Sequence, residues 1–118
     1  MATHDYRDLQ VWQRAIDFVV SVYELADNLP KHETYALADQ LRRSAVSIPS
    51  NIAEGQKRLN IKETIQFTGM ALGSTAECQT QLIIIEKVHK IDTKQLVDTA
   101  DIIGRMLTAL IKSLKSKI

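Results

Sequence analysis

The residues best suited to chemistry are few. Glu86-Lys87-Val88-His89 has the Glu-x-x-His spacing that di-metal helical bundles use, with both ligands on one helix face. Such a site needs a second pair and two further carboxylates, and no second pair occurs. The other histidines are His4, near the start, and His32, in a connection between helices. The spacing therefore argues against a metal-dependent bundle enzyme, and no metal, cofactor or small-molecule substrate is expected. Cys78 is the single cysteine, so no internal disulfide can form, and a small buried hydrophobe is its expected role. Zinc-ligand spacing, Gly-rich phosphate loops and nucleophile elbows do not occur. No catalytic residue is expected.

A polar stripe is more informative. Gln40, Arg43, Ser47, Asn51, Glu54 and Arg58 step by three or four along one flank of a helical segment. Glu54 and Arg58 are spaced to pair. Ser and Asn are poor helix formers, and a flank needing only solubility is better served by Glu and Lys. Gln40, Ser47, Asn51 and Glu54 are thus candidates for a polar interface between helices or subunits. Arg42, Arg43, Lys57, Arg58 and Lys62 make the best candidate basic patch for a nucleic acid or other partner.

Four amphipathic segments carry these residues, at about 8–28, 31–58, 61–89 and 93–116. The first holds two adjacent apolar stripes: Leu9, Trp12, Ile16, Val19, Val20 and Tyr23 beside Val11, Ala15, Phe18, Val22 and Leu25. Together they exceed the width one buried helix face requires, which favours a homo-oligomer. Leu29-Pro30 closes this segment. The second keeps the phase of Leu37, Leu41, Ala45, Ile48 and Ile52 across Pro49. An interior proline costs about 3 kcal/mol, so the expectation is a kinked continuous helix, with two abutting helices as the alternative.

The third segment opens on Asn60 with Glu63 in capping-box spacing, and the fourth on Asp92 with Gln95. Gly69, Gly73 and Ala76 share a face of the third. Close approach of another backbone, or of Trp12, would explain the cost of those glycines, and a flexible point is the alternative. Leu96, Ala100, Ile103, Leu107, Leu110 and Leu114 give the fourth a packing seam. Lys112, Lys115 and Lys117 suit the dipole at its end, with a phosphate-binding tail as the other reading. Short links join antiparallel neighbours, so the fold class is all-α, an up-down-up-down four-helix bundle in one domain spanning residues 1–118.

The bulk numbers agree. The chain has 118 residues, 45% hydrophobic and 25% charged, with only 4 Gly and 2 Pro. Its formal charge of +1 weighs against strong nonspecific binding to nucleic acid. The longest aliphatic run, Leu82–Ile85, is far short of the roughly 20 residues of a membrane span. Met1-Ala2-Thr3-His4-Asp5 lacks a signal pattern, and the expected compartment is the cytoplasm.

Specific motifs carry a resemblance. They are Leu9-x-x-Trp12 with Ala15, Pro30 with Glu33, Gln40-Leu41-Arg42-Arg43, Ser47-Ile48-Pro49-x-Asn51-Ile52-Ala53-Glu54-Gly55, Arg58, and Ala71-Leu72-Gly73-Ser74 with Glu77. Over nearly its whole length the chain resembles the four-helix proteins named for reading frames in intervening sequences of bacterial 23S ribosomal RNA genes. The resemblance implies a protomer that assembles into a closed homopentameric ring, with no established enzymatic activity. A related, more basic group, the accessory proteins of diversity-generating retroelements, binds nucleic acid and a reverse transcriptase. The role expected from the resemblance is a non-enzymatic scaffold associated with ribosomal RNA; the alternative is a nucleic-acid-binding accessory protein.

Overall fold

The computed structural model describes residues 5–34 and 36–118, so His4 lies outside the described residues. Four α-helices account for most of it: α1 Gln10–Asp27, α2 Leu37–Gln56, α3 Ile61–His89 and α4 Lys94–Lys115. Short 3-10 turns precede α1 at Tyr6–Asp8 and α2 at Lys31–Glu33. No strand occurs among the described residues. Each helix packs on the next in sequence, α4 returns to touch α1, and the diagonal pairs stay apart. Contacts such as Gly55 with Thr64, Ser44 with Gln81, and Gln79 with Asp101 run in opposite chain directions, so neighbours are antiparallel. The bundle measures 50 × 19 × 19 Å.

In α1 the buried stripe is Val11, Ala15, Phe18, Val22 and Ala26. The neighbouring stripe of Trp12, Ile16 and Val19 is only half covered, and Val20 and Tyr23 are 54% and 42% exposed. Asn28 ends the helix by donating from its amide to the Glu24 carbonyl at 2.9 Å. The second helix begins later than its periodicity suggests. Residues 31–33 form a 3-10 turn after Pro30, and α2 starts at Leu37. No side chain caps that start. The α-helix then runs unbroken through Pro49, which rules out two abutting helices; the proline ring is buried.

At the start of α3, Asn60 Oδ1 accepts from the Lys62 N–H at 2.8 Å, so the cap engages the second helical residue and not Glu63. The cap of α4 sits one residue beyond the expected Asp92, at Thr93. Asp92 still accepts from the Lys94 N–H at 3.0 Å. Glu86 accepts from the Thr93 N–H at 3.0 Å, tying the end of α3 to the start of α4. Lys90, with φ 58°, takes the left-handed conformation that turns the chain out of α3.

The glycines correct an expectation. Methyl groups placed on Gly69 and Gly73 would meet nothing within 4 Å, so neither is a close-packing site, and Trp12 lies instead between α1 and α2. Close approach occurs at Gly55, where an added methyl would sit 2.9 Å from Phe67 Cβ and 3.2 Å from the Thr64 carbonyl oxygen.

Phe18, Leu41, Ile48, Ile52, Leu82, Ile85, Ile103 and Leu107 fill the core. Each contributes roughly 1.5–3 kcal/mol on burial. Among the described residues, every buried side-chain nitrogen and oxygen has a hydrogen-bond partner. Ser44 Oγ donates to Gln81 Oε1 at 2.7 Å, and the Cys78 thiol donates to Ser44 Oγ at 3.3 Å. Thr68 and Thr75 donate to carbonyls one turn back on α3.

Candidate interaction surface

The half-covered stripe of α1 forms one wall of a groove, and α2 forms the other. Tyr6, Trp12, Ile16 and Val19 face Val46, Pro49, Ser50 and Ala53 across it. Val46 also lines its continuation, with Tyr23, Asp39, Arg42, Arg43 and Ser47. Tyr6 meets Trp12 edge to face at the groove's far end, their ring centroids 5.4 Å apart. Asp5 anchors that corner. Its side-chain bond to Arg7 holds the Asp5 carboxyl at about 2, against an ordinary 3.8. The groove thus runs from an apolar end at Trp12 to a charged end at Arg42 and Arg43.

The polar flank of α2 is turned mainly on itself. Ser47 Oγ donates to the Arg43 carbonyl at 3.0 Å, Asn51 Nδ2 donates to the Ser47 carbonyl at 2.8 Å, and Arg58 pairs with Glu54 at 3.1 Å. Gln40 and Glu54 are exposed, Ser47 and Asn51 half-buried. A flank with its hydrogen bonds satisfied internally can meet a partner without large desolvation cost.

Folding divides the basic residues into two groups. Arg42 pairs with Asp27 at 3.0 Å and stacks over Tyr23; Arg43, 80% exposed at its side chain, pairs with Asp39 at 2.9 Å. Lys57, Arg58 and Lys62 cluster at the α2–α3 turn, where the Arg58 guanidinium lies 4.5 Å over the Phe67 ring. Helical rise puts about 22 Å between Arg42 and Lys57. The cation–π contact of Arg58 has no sequence signal, because nine residues and a turn separate the partners.

Cys78 is fully buried. Burial pushes its thiol up to about 11 despite the opposing bond to Ser44. The protonated thiol is a poor nucleophile. The Glu-x-x-His spacing of α3 also comes apart: Glu86 serves Thr93, while His89 Nε2 lies 2.7 Å from Glu33 Oε2. His32 joins them, and one ligand atom from each of His32, Glu33 and His89 lies within 4.8 Å of the others. Sequence spacing could not reveal this cluster, since His89 lies 56 residues from Glu33.

The sequence matches the model of the 23S rRNA-intervening sequence protein family over residues 7–110. It matches no curated protein. Among solved structures, it resembles a protein of unknown function from the S23 ribosomal protein family of Bacteroides thetaiotaomicron VPI-5482. The TM-score is 0.79 at 23% identity, covering 86% of this chain and 95% of that one. That likeness establishes a shared fold. No described helix is long and apolar enough to cross a membrane.

Proposed function

Because the chain belongs to the 23S rRNA-intervening sequence protein family, whose function is unknown, we propose that it is a non-catalytic assembly module: a protomer that self-associates, as a pentameric ring, and presents a composite surface to a ribosomal-RNA-associated partner. The observation that carries this reading is the second apolar stripe of α1. Trp12, Ile16, Val19, Val20 and Tyr23 lie along an outward-facing seam with Val46, while the bundle core is already filled by the other stripe. An apolar seam rimmed by polar and charged side chains is the pattern of a protein–protein contact. Gln40, Ser47, Asn51 and Glu54 border it as the polar part of that contact.

Sedimentation and light scattering at micromolar concentration test the assembly. A species of about five times the 13.3 kDa chain mass is expected. A monomer throughout that range overturns it.

A second reading rests on Lys57, Arg58 and Lys62. These form a basic tip at the α2–α3 turn, and neither lysine has an ion-pair partner among the described residues. In a ring, repeated copies of the tip would multiply a weak phosphate contact. Binding to structured RNA that weakens steeply with salt supports this role, and Lys57→Glu with Lys62→Glu should abolish it. Absence of salt-sensitive binding at low ionic strength removes it.

A further inference from the structure

We propose that His32, Glu33 and His89 bind one divalent ion of the zinc class at the end of the bundle where α1 gives way to α2. The donor set is two imidazoles and one carboxylate, which suits zinc and cobalt and disfavours magnesium, an ion that prefers oxygen ligands alone. Three protein ligands leave at least one position open to water.

The geometry is close to what an ion needs. Around a tetrahedral ion bound at about 2.0–2.1 Å, ligand atoms lie about 3.3 Å apart. His89 Nε2 and Glu33 Oε2 are 2.7 Å apart, so they need to open by little more than half an ångström, roughly. His32 is exposed, and a nitrogen of its ring lies within 4.8 Å of the other two ligand atoms, so the distance left to close is at most about 1.5 Å. None of the three atoms must cross the core.

Two further facts favour a cation here. The side chains of Glu33 and His89 are only 15% and 12% exposed, and no Lys or Arg pairs with Glu33 among the described residues. A carboxylate taken out of water gains most from a positive charge beside it. Both ligands are also held by the backbone. Glu33 sits in the 3-10 turn set by Pro30, its N–H donating to the Pro30 carbonyl at 2.9 Å. His89 is the last residue of α3, immediately before the left-handed turn at Lys90. Preorganised ligands lose less entropy when an ion arrives.

In the absence of metal, Glu33 and His89 hold each other. The carboxylate only accepts, so the imidazole Nε2 donates the proton. Metal binding exchanges that hydrogen bond for two coordinate bonds, and the neutral imidazole that ligates through Nε2 carries its one proton on Nδ1 instead. The ion then ties the α1–α2 connection to the end of α3.

The test uses the full chain, untagged, in a His4→Ala background that removes the remaining histidine, stripped with a chelator. Titration with Zn2+ should show one ion per chain, and Co2+ should give visible d–d absorption. Mg2+ should not compete. His32→Ala should weaken binding by about tenfold or more, since even outer partners of metal ligands commonly matter by that factor. Because His32 is exposed, the same variant in chelator should keep the parent's helicity and melting temperature, whereas His89→Ala and Glu33→Gln lose a native hydrogen bond as well. No saturable Zn2+ binding by the parent, or undiminished binding by His32→Ala, would overturn the site.

Discussion

A methyl group added at Gly55 would press on Phe67 and on the backbone at Thr64, while one added at Gly69 or Gly73 would meet open space. The same substitution should therefore have opposite signs. Gly55→Ala is expected to destabilise the protein by about 1–3 kcal/mol through overpacking of the α2–α3 crossing. Gly69→Ala or Gly73→Ala should stabilise it by about 0.5–1 kcal/mol through helix propensity. Denaturant unfolding at one fixed chain concentration measures both. Cys78 gives a third expectation. With its thiol held near 11 against an ordinary 9.0, alkylation of the native protein at neutral pH should be slow and should follow unfolding. The raised value also has a sign for stability. The thiol's contribution is complete below the unfolded value of 9.0 and is lost as pH rises through about 11. A melting temperature that falls over this window in the parent, and falls less in Cys78→Ala, is the check.

At the scale of the helix, α3 ends on a lysine where glycine is the unstrained choice. Lys90 holds φ at 58°, and its Cβ pays the steric penalty of the left-handed region. Lys90→Gly should raise stability by about 1 kcal/mol in the same unfolding measurement, with α3 and α4 unchanged in helicity. Most of the helices were readable from apolar period, from Pro30, and from the polar residues at 60 and 92. What period alone could not decide was which stripe of α1 turns inward, because both are apolar; the small Ala15 and Ala26 accompany the stripe that packs. Nor could spacing tell a packed glycine from a bare one. Gly55 is identified by what crosses it from another helix, not by its own neighbours. The start of α2 lies later than the apolar period suggests, because Leu37 and Leu41 carry the phase and no side-chain cap precedes them among the described residues.

For the whole molecule, the decisive quantity is apolar surface left over after the core is full. Val20→Glu places a charge on the uncovered α1 stripe, at a residue already 54% exposed. It should leave far-ultraviolet helicity intact and shift the proposed assembly toward monomer, as measured by light scattering. The proposed basic surface was harder to read from sequence, because charges that look like one set along the chain are parted by the length of α2. The hydrogen-bonded trio of Ser44, Gln81 and Cys78 has a consequence for that same surface. A core of Ile, Leu, Val and Ala is nearly self-similar from turn to turn, so sliding α2 along α3 by one turn, about 5.4 Å, would exchange one aliphatic contact for another. The slip would, however, part Ser44 Oγ from Gln81 Oε1 and leave that glutamine oxygen against hydrocarbon, while Ser44 kept only its bonds to carbonyls of its own helix. Those atoms act as a notch that admits a single alignment. Every outward residue of α2, from Gln40 to Glu54, takes its position against α3 from that notch.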